Sequence, residues 1–321
     1  MNYYLRASLG FALLVACSCF ALCANVQGQT FTDPEAAGQA YQLQGEYEGE
    51  ADGKKTGVQV IALGEGRFRL VGYLGGLPGA GWKRGDDRKQ AEGELDGDAV
   101  AFEGDTWSAA LADGTIKVTS EDGDSLGELK RVERKSPTLG AKPPEGATVL
   151  FDGKSAEQFE GGKVSPDGHL MAGCTTKEKL GDGTLHIEFR TPFMPEARGQ
   201  GRGNSGVYLN GQYECQVLDS FGLEGEDNEC GGIYSIAKPD VNMCLPPLAW
   251  QTYDIEFTPA KTNDAGEKTA EPRVTIRHNG VVIHDDLELP KITPGGVEAG
   301  YLHLQDHGNP VVYRNIWVAE K

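Results

Sequence analysis

Residues 203 to 220 read G-N-S-G-V-Y-L-N-G-Q-Y-E-C-Q-V-L-D-S, and their pattern decides the fold. From Asn204 to Asn210 the apolar Val207 and Leu209 alternate with the polar Asn204, Tyr208 and Asn210, the period of two that a half-buried strand requires. Asn210-Gly211 supplies the turn, because a two-residue hairpin needs positive φ at both central positions and Asn-Gly tolerates that best. On the return strand Tyr213, Cys215 and Val217 share one face and Glu214 and Gln216 the other. Side chains two residues apart on one face stand about 6.7 Å from each other. The hairpin therefore predicts a polar floor carrying one carboxylate and one amide.

The same alternation recurs on both sides. Thr184 to Arg190 sets Leu185, Ile187 and Phe189 against His186, Glu188 and Arg190, and Thr252 to Thr258 sets Tyr253, Ile255 and Phe257 against Asp254 and Glu256. Arg273 to His284 turns at Asn279-Gly280, and Tyr301 to Gln305 places Tyr301, His303 and Gln305 opposite Leu302 and Leu304. Val311 to Val318 ends the series with a mixed pattern that leaves the direction of Arg314 undecided. Upstream, Asp33 and Pro34 start a short helix to about Gln42. From Gly45 to Lys135 short strands are punctuated by Asp-Gly at Asp52, Asp96, Asp113 and Asp122, a hairpin signal that pairs consecutive strands antiparallel. The expected fold is all-β: a leader over 1–28, a small antiparallel β domain over 29–135, a Pro/Gly-rich linker over 136–146, and a larger β-sandwich over 147–321. The loop 75–90, with Trp82, could contact sugar or the second domain, and packing is the favoured role for Trp82.

The formal charge of -18 repels phosphate backbones, which argues against a nucleic-acid partner. Arg6 followed by the apolar run 7–16 reads as a secretion leader, too short to span a bilayer. Two cleavage sites compete. Leu14-Val15-Ala16-Cys17 resembles a lipobox that would leave a lipid anchor on Cys17, whereas cleavage near Ala24 or Gly28 would free the chain; either way the protein is expected to be exported. Of the seven cysteines, Cys174, Cys215, Cys230 and Cys244 lie beyond the leader. An even number in an exported chain favours disulfides, with Cys230–Cys244 as the first pairing and Cys174–Cys215 as the second. Neither a C-x-x-C pair nor a tight His/Cys cluster points to structural zinc. The acidic run 224–229 reads as a solvated loop, with calcium binding as the lesser alternative.

The hairpin, together with A-T-V-L-F-D-G-K (147–154), C-G-G-I-Y (230–234) and G-Y-L-H-L-Q-D-H-G-N-P-V-V-Y-R-N-I-W-V (300–318), resembles the 3-keto-disaccharide hydrolase family. The resemblance covers about residues 147–321. It implies a concanavalin-like β-sandwich, or jelly roll, and cleavage of 3-keto glycosides by hydrolysis or by 1,2-elimination followed by hydration. Position 303 is often small in that family, so His303 departs from its pattern.

A retaining glycosidase needs two carboxylates about 5 to 5.5 Å apart. The run 214–219, E-C-Q-V-L-D, has an amide where sandwich glycosidases of the E-x-D-x-x-E type carry their middle acid, so such a pair would have to come from Glu188 and Glu214 across strands. A 3-keto sugar asks for something else. Its ketone acidifies the hydrogen on carbon 2, so the reaction needs a base, a donor or cation for the enolate, and an acid for the leaving oxygen. Glu214, His307 and Arg314 are the candidates for these catalytic roles. Asn204, Tyr208, Gln216, His303 and Gln305 are candidates for holding the saccharide. Glu214 and His307 are also candidate ligands for a divalent ion, with Ca, Mn and Zn left open, and no nucleotide cofactor is expected. Each has a plainer reading: His307 as an exposed turn residue, Glu214 as a solvated face residue, Arg314 as half of a structural ion pair. One alternative for the whole chain is a non-catalytic, lectin-like glycan-binding module using the same face, and another is a surface structural protein whose two β domains serve adhesion.

Overall fold

The turns predicted from Asp-Gly and Asn-Gly set the architecture. In the structure, a computed structural model that describes residues 28–321, Asp52-Gly53, Asp113-Gly114 and Asn279-Gly280 all adopt positive φ, each joining strands separated by two residues. The leader and its lipobox lie outside the described residues.

Eight strands, β1 (Gly45–Ala51), β2 (Lys54–Gly64), β3 (Arg67–Leu74), β4 (Arg88–Asp96), β5 (Ala99–Glu103), β6 (Trp107–Ala112), β7 (Thr115–Ser120) and β8 (Ser125–Val132), pair in sequence order. Closure comes from β1 against β8, with Tyr47 opposite Arg131, so the sheet becomes an up-and-down barrel with no free edge. The one α-helix among the described residues, α1 (Gly38–Leu43), starts later than Asp33 and Pro34 predict. Asp33 instead accepts the Glu35 amide at 2.7 Å in a local turn.

The second half comprises β9 (Thr148–Phe151), β10 (Phe159–Glu160), β11 (Leu170–Met171), β12 (Cys174–Thr176), β13 (Gly183–Arg190), β14 (Ser205–Leu209), β15 (Tyr213–Val217), β16 (Gln251–Thr258), the small ribbon β17 (Lys261–Thr262) and β18 (Lys268–Ala270), then β19 (Arg273–His278), β20 (Val281–Glu288), β21 (His303–Asp306) and β22 (Val312–Glu320). A five-stranded sheet runs β10-β12-β21-β14-β15, and a seven-stranded sheet runs β11-β22-β13-β16-β19-β20 with β9 on β22. Their inner faces meet in one buried cluster that includes Val207, Cys215, Val217, Leu304, Leu185, Ile187 and Tyr253. Ile61, Leu63, Val71, Tyr73 and Trp82 of the barrel belong to that same cluster. The outer wall of β2 and β3 is thus packed on the sandwich, and Trp82 stacks edge-on against Tyr73 at 5.2 Å.

Residues 136–142 are strapped to the outer face of the seven-stranded sheet. Ser136 Oγ lies 2.6 Å from Thr252 Oγ1, Thr138 Oγ1 donates to Asp254 Oδ2 at 2.6 Å, the Gly140 amide donates to Glu188 Oε1 at 2.6 Å, and Ala141 O accepts from Asn315 and Trp317. A segment that satisfies so many buried partners is a structural element and not a flexible tether.

The expected disulfides are absent: Cys174, Cys215, Cys230 and Cys244 are buried free thiols. Cys174 pairs with Leu304, Leu304 with Val207, and Val207 with Cys215. The two cysteines are three strand spacings apart, about 14 Å, roughly twice the Cα separation a bridge allows. Cys230 and Cys244 share a buried cluster with Tyr253, whose hydroxyl is 3.2 Å from Cys230 Sγ, but they stay unbonded. Burial pushes the Cys215 and Cys244 thiols well above the usual range, which leaves them inert.

Candidate active site on the five-stranded sheet

The outer face of the five-stranded sheet carries the chemistry. Asn210 and Gly211 turn the β14–β15 hairpin with positive φ, as their identities require, but Gln212 is a third loop residue, so Leu209 pairs with Tyr213. That register sets Tyr208 opposite Glu214 and Gly206 opposite Gln216. On its other edge β14 pairs with β21, Tyr208 opposite His303 and Gly206 opposite Gln305, and β21 pairs with β12, His303 opposite Thr175. Residues directly opposite share a face. One row therefore crosses the sheet as Glu214, Tyr208, His303 and Thr175, beside a second of Gln216, Gly206 and Gln305.

The contacts follow that geometry. Tyr208 Oη donates to Glu214 Oε2 at 2.9 Å, Gln305 Nε2 donates to Tyr208 Oη at 3.3 Å, and Thr175 Oγ1 lies 2.9 Å from His303 Nδ1. The Tyr208 and His303 ring centroids are 5.5 Å apart. Thr293 Oγ1 accepts the Glu214 amide at 3.0 Å, so the segment around Thr293 and Pro294 lies over this corner. Gly206 is required where it stands. A Cβ there would sit 2.3 Å from Glu214 Oε1, so the missing side chain is the space in which the carboxylate lies.

At the adjoining end, Gln200 ties the amides together. Asn204 Nδ2 donates to Gln200 Oε1 at 3.0 Å and Gln216 Nε2 donates to the same oxygen at 3.1 Å. Among the described residues, Asn204 Oδ1 and Gln305 Oε1 are buried and meet no protein donor. Two unpartnered acceptors on one face suit the hydroxyl groups of a ligand.

Glu214 is only 3% exposed. Burial raises its pKa, the Tyr208 hydroxyl lowers it in part, and the balance stands at about 7. Burial also lowers the pKa of His303, so its ring is neutral near pH 7. A carboxyl group poised at neutrality both accepts and returns a proton with little penalty.

Three sequence candidates fall elsewhere. His307 follows β21 in an exposed turn closed by the Gly308 amide on Asp306 Oδ1 at 2.8 Å. Glu214 lies in the row of Tyr208, whereas β21 carries His307 beyond Asp306, the partner of Ser205. Two strands and about four residues separate them, roughly 16 Å, so they cannot ligate one ion. Among the described residues no three His, Cys, Asp or Glu side chains gather as a metal site would require. Within the acidic run, Glu229 Oε2 is taken up by the Gly225 and Glu226 amides.

Arg314 belongs to the opposite side of the sandwich. On β22 its Nε donates to Glu188 Oε2 at 2.7 Å and its guanidinium lies 4.0 Å from the Trp250 ring centroid. Glu188 also accepts from Asn315 and the Gly140 amide, and His186 pairs with Asp254 at 2.6 Å. Burial opposes the Glu188 charge, yet these partners outweigh it and hold the carboxyl at about 2. Burial likewise opposes the His186 charge, and Asp254 and Glu188 reverse the effect and raise its pKa. Glu188 and Glu214 thus face away from each other on sheets packed about 10 Å apart, and the cross-strand pair is excluded. On the Glu214 face the other carboxylate at a strand position is Glu160, opposite Thr175. It is four strand spacings away, about 19 Å, beyond the reach of either glycosidase geometry.

Sequence reasoning passed over Gly206, Thr175, Gln200 and Thr293. Of these only Gly206 carried a signal, since a glycine inside a strand marks close approach.

Comparison with known proteins bears on the same region. No curated protein matches the chain. A crystal structure from Parabacteroides distasonis ATCC 8503, described as a candidate glycosyl hydrolase, aligns at 32% identity with a TM-score of 0.50, over 55% of this chain and 84% of that one. Two others described in the same words, from the same organism, align at 19% identity with TM-scores of 0.42 and 0.39, over 55% of this chain and 94% and 100% of theirs. The family model for the 3-keto-alpha-glucoside-1,2-lyase-like domain matches residues 146–319, more than half of the chain and all of the sheet face built around Glu214, and the chain belongs to that family.

Proposed function

We propose that the protein is an exported carbohydrate-active enzyme that cleaves 3-keto glycosides by 1,2-elimination followed by hydration, with Glu214 moving the proton. The observation that carries this reading is a buried carboxyl group at about 7, in one cross-strand row with Tyr208 and His303. Family membership and the name given to the Parabacteroides structure support a glycoside as the substrate class. The sandwich is read as concanavalin-like, of the jelly-roll kind, with the substrate on its polar sheet face.

In this reading ionised Glu214 takes the hydrogen from carbon 2, and the electron pair passes into the ketone as an enolate. A neutral His303 N–H donates to the enolate oxygen. Collapse of the enolate breaks the bond from carbon 1 to the glycosidic oxygen, which leaves with a proton returned by Glu214. The product is a 2-hydroxyglycal 3-ketone, and water added across its double bond gives the 3-keto monosaccharide. Gln216, Asn204 and Gln305 hold the sugar hydroxyls, the last two through their unpartnered acceptors. No step is routed through a metal, because Glu214 and His307 do not converge. A single carboxylate suffices, and so the lack of a glycosidase dyad on this face favours elimination over direct displacement.

The test is product analysis. Incubation with a 3-keto disaccharide in deuterated water, followed by NMR, is expected to show a 2-hydroxyglycal or a 3-keto monosaccharide with deuterium at carbon 2. A 3-keto monosaccharide that keeps its original hydrogen at carbon 2 would replace elimination by direct hydrolysis. Saturable sugar binding without any product would favour the lectin reading.

A further inference from the structure

We propose that the N-terminal barrel is a binding calyx for one uncharged, ring-containing apolar molecule, a site independent of the sugar chemistry on the sandwich. An eight-stranded barrel is just wide enough either to be filled by its own side chains or to hold one small ligand. This one does both, at different depths. Its lower end is filled by Phe68 and Phe102, both fully buried, and plugged by Leu43 of α1 within the same apolar cluster. Toward the opposite end the inward positions turn small, with Thr56 on β2, Gly72 on β3 and Ala109 on β6. A cavity of about 520 Å³ opens there above the buried Val58, Leu70, Ile116 and Leu129, with the half-buried Leu74, Val118 and Leu126 along its sides. That volume falls within the range of small-molecule sites.

The chemistry of the occupant follows from the lining. Apart from the rim charges the lining is mainly apolar, with Thr56, Thr106 and Ser120 as its neutral polar members and the half-buried Trp107 among them. The rim carries Asp52 with Lys54 and Asp87 with Lys89, two acids against two bases. Those charges cancel, so the mouth does not select an ion. The sandwich packs on the outer wall of β2 and β3, and no sandwich residue lines the cavity, whose rim residues Asp52, Lys54, Asp87 and Lys89 are exposed.

The full chain would be titrated with N-phenyl-1-naphthylamine, an uncharged aromatic probe whose fluorescence rises in apolar surroundings. The expected result is saturable binding of one probe per chain. Gly72→Leu should weaken it at least tenfold, because a Cβ at Gly72 meets only Lys89 at 3.7 Å and the added side chain extends into the cavity. Trp107→Ala should weaken it several-fold. Glu214→Gln, altered only on the sheet face, should bind the probe as the wild type does. Circular dichroism establishes that each variant is folded. Absence of saturable binding in the wild type, or wild-type affinity in folded Gly72→Leu, would overturn the proposal; if Gly72→Leu does not fold, wild-type affinity in Trp107→Ala would do so.

Discussion

Replacing Glu214 with Gln should make the protein more stable at alkaline pH while removing its activity. The Glu214 carboxyl stands at about 7 instead of the 4.5 of an ordinary glutamate, because burial outweighs the Tyr208 hydrogen bond. The folded state therefore holds this proton more tightly than the unfolded chain does. The stability this contributes is fully present below about pH 4.5 and is lost as pH rises through about 7. Holding the proton that much more tightly is worth about 3 kcal/mol. Gln keeps the shape and an oxygen that accepts from Tyr208, but never ionises. At pH 4.5 the two proteins should melt within a degree or so of each other. By pH 8.5 the variant should melt about 6 °C higher, taking about 2 °C per kcal/mol for a chain of this size. Thermal unfolding of both proteins across this range is the assay, and the difference between them cancels the titration of every other group. A difference that stays flat from pH 4.5 to 8.5 would show that Glu214 is not held near neutrality.

Other consequences are open to measurement. Tyr208→Phe removes the hydroxyl that stabilises ionised Glu214, so the rising limb of the pH–rate profile should move to higher pH, with a loss of about tenfold or more at pH 7. Gly206→Ala should cut kcat by at least tenfold, since the new Cβ displaces Glu214 Oε1; calorimetry on the same variant should show a lower Tm. Arg314→Met should cost about 2 kcal/mol in denaturant unfolding, less than a fully buried pair because Arg314 is one-third exposed, and should leave turnover of the folded protein close to wild type. Glu188, held at about 2, contributes stability that is present above pH 4.5 and lost as pH falls toward 2, so Glu188→Gln should flatten the acid side of the stability curve. A reductant should leave the Tm unchanged, because the four cysteines beyond the leader are free thiols.

Strict alternation made the polar face legible. Wherever a strand keeps period two, as at Tyr208, Glu214, Gln216, His303 and Gln305, residue order alone assigns the face. It does not say which rows align, since the register between β14 and β21 comes from long-range pairing that no local pattern records. Arg314 shows where alternation breaks. Asn315 adopts a left-handed φ of 45° opposite a register shift between His186 and Glu188, so the side chains of β22 change phase in its middle. At His307 the Asp306 side chain closes a turn and ends the strand, taking the histidine off the face. Cysteine spacing misled for a related reason: separation along the chain carries no information about the three strand spacings between Cys174 and Cys215. The segment 136–146 has a linker's composition, yet its Ser, Thr and Gly groups match acceptors on a sheet far along the chain.

The central claim is that Glu214 removes the hydrogen on carbon 2, and the direct measurement is isotope exchange at that carbon. With a 3-keto disaccharide in deuterated water, the rate of deuterium entry at carbon 2 would be followed by NMR against pH for the wild type and for folded Glu214→Gln. The account predicts a wild-type rate that rises through an inflection near 7 and a loss of at least a thousandfold in the variant. Exchange at the wild-type rate in folded Glu214→Gln would contradict it.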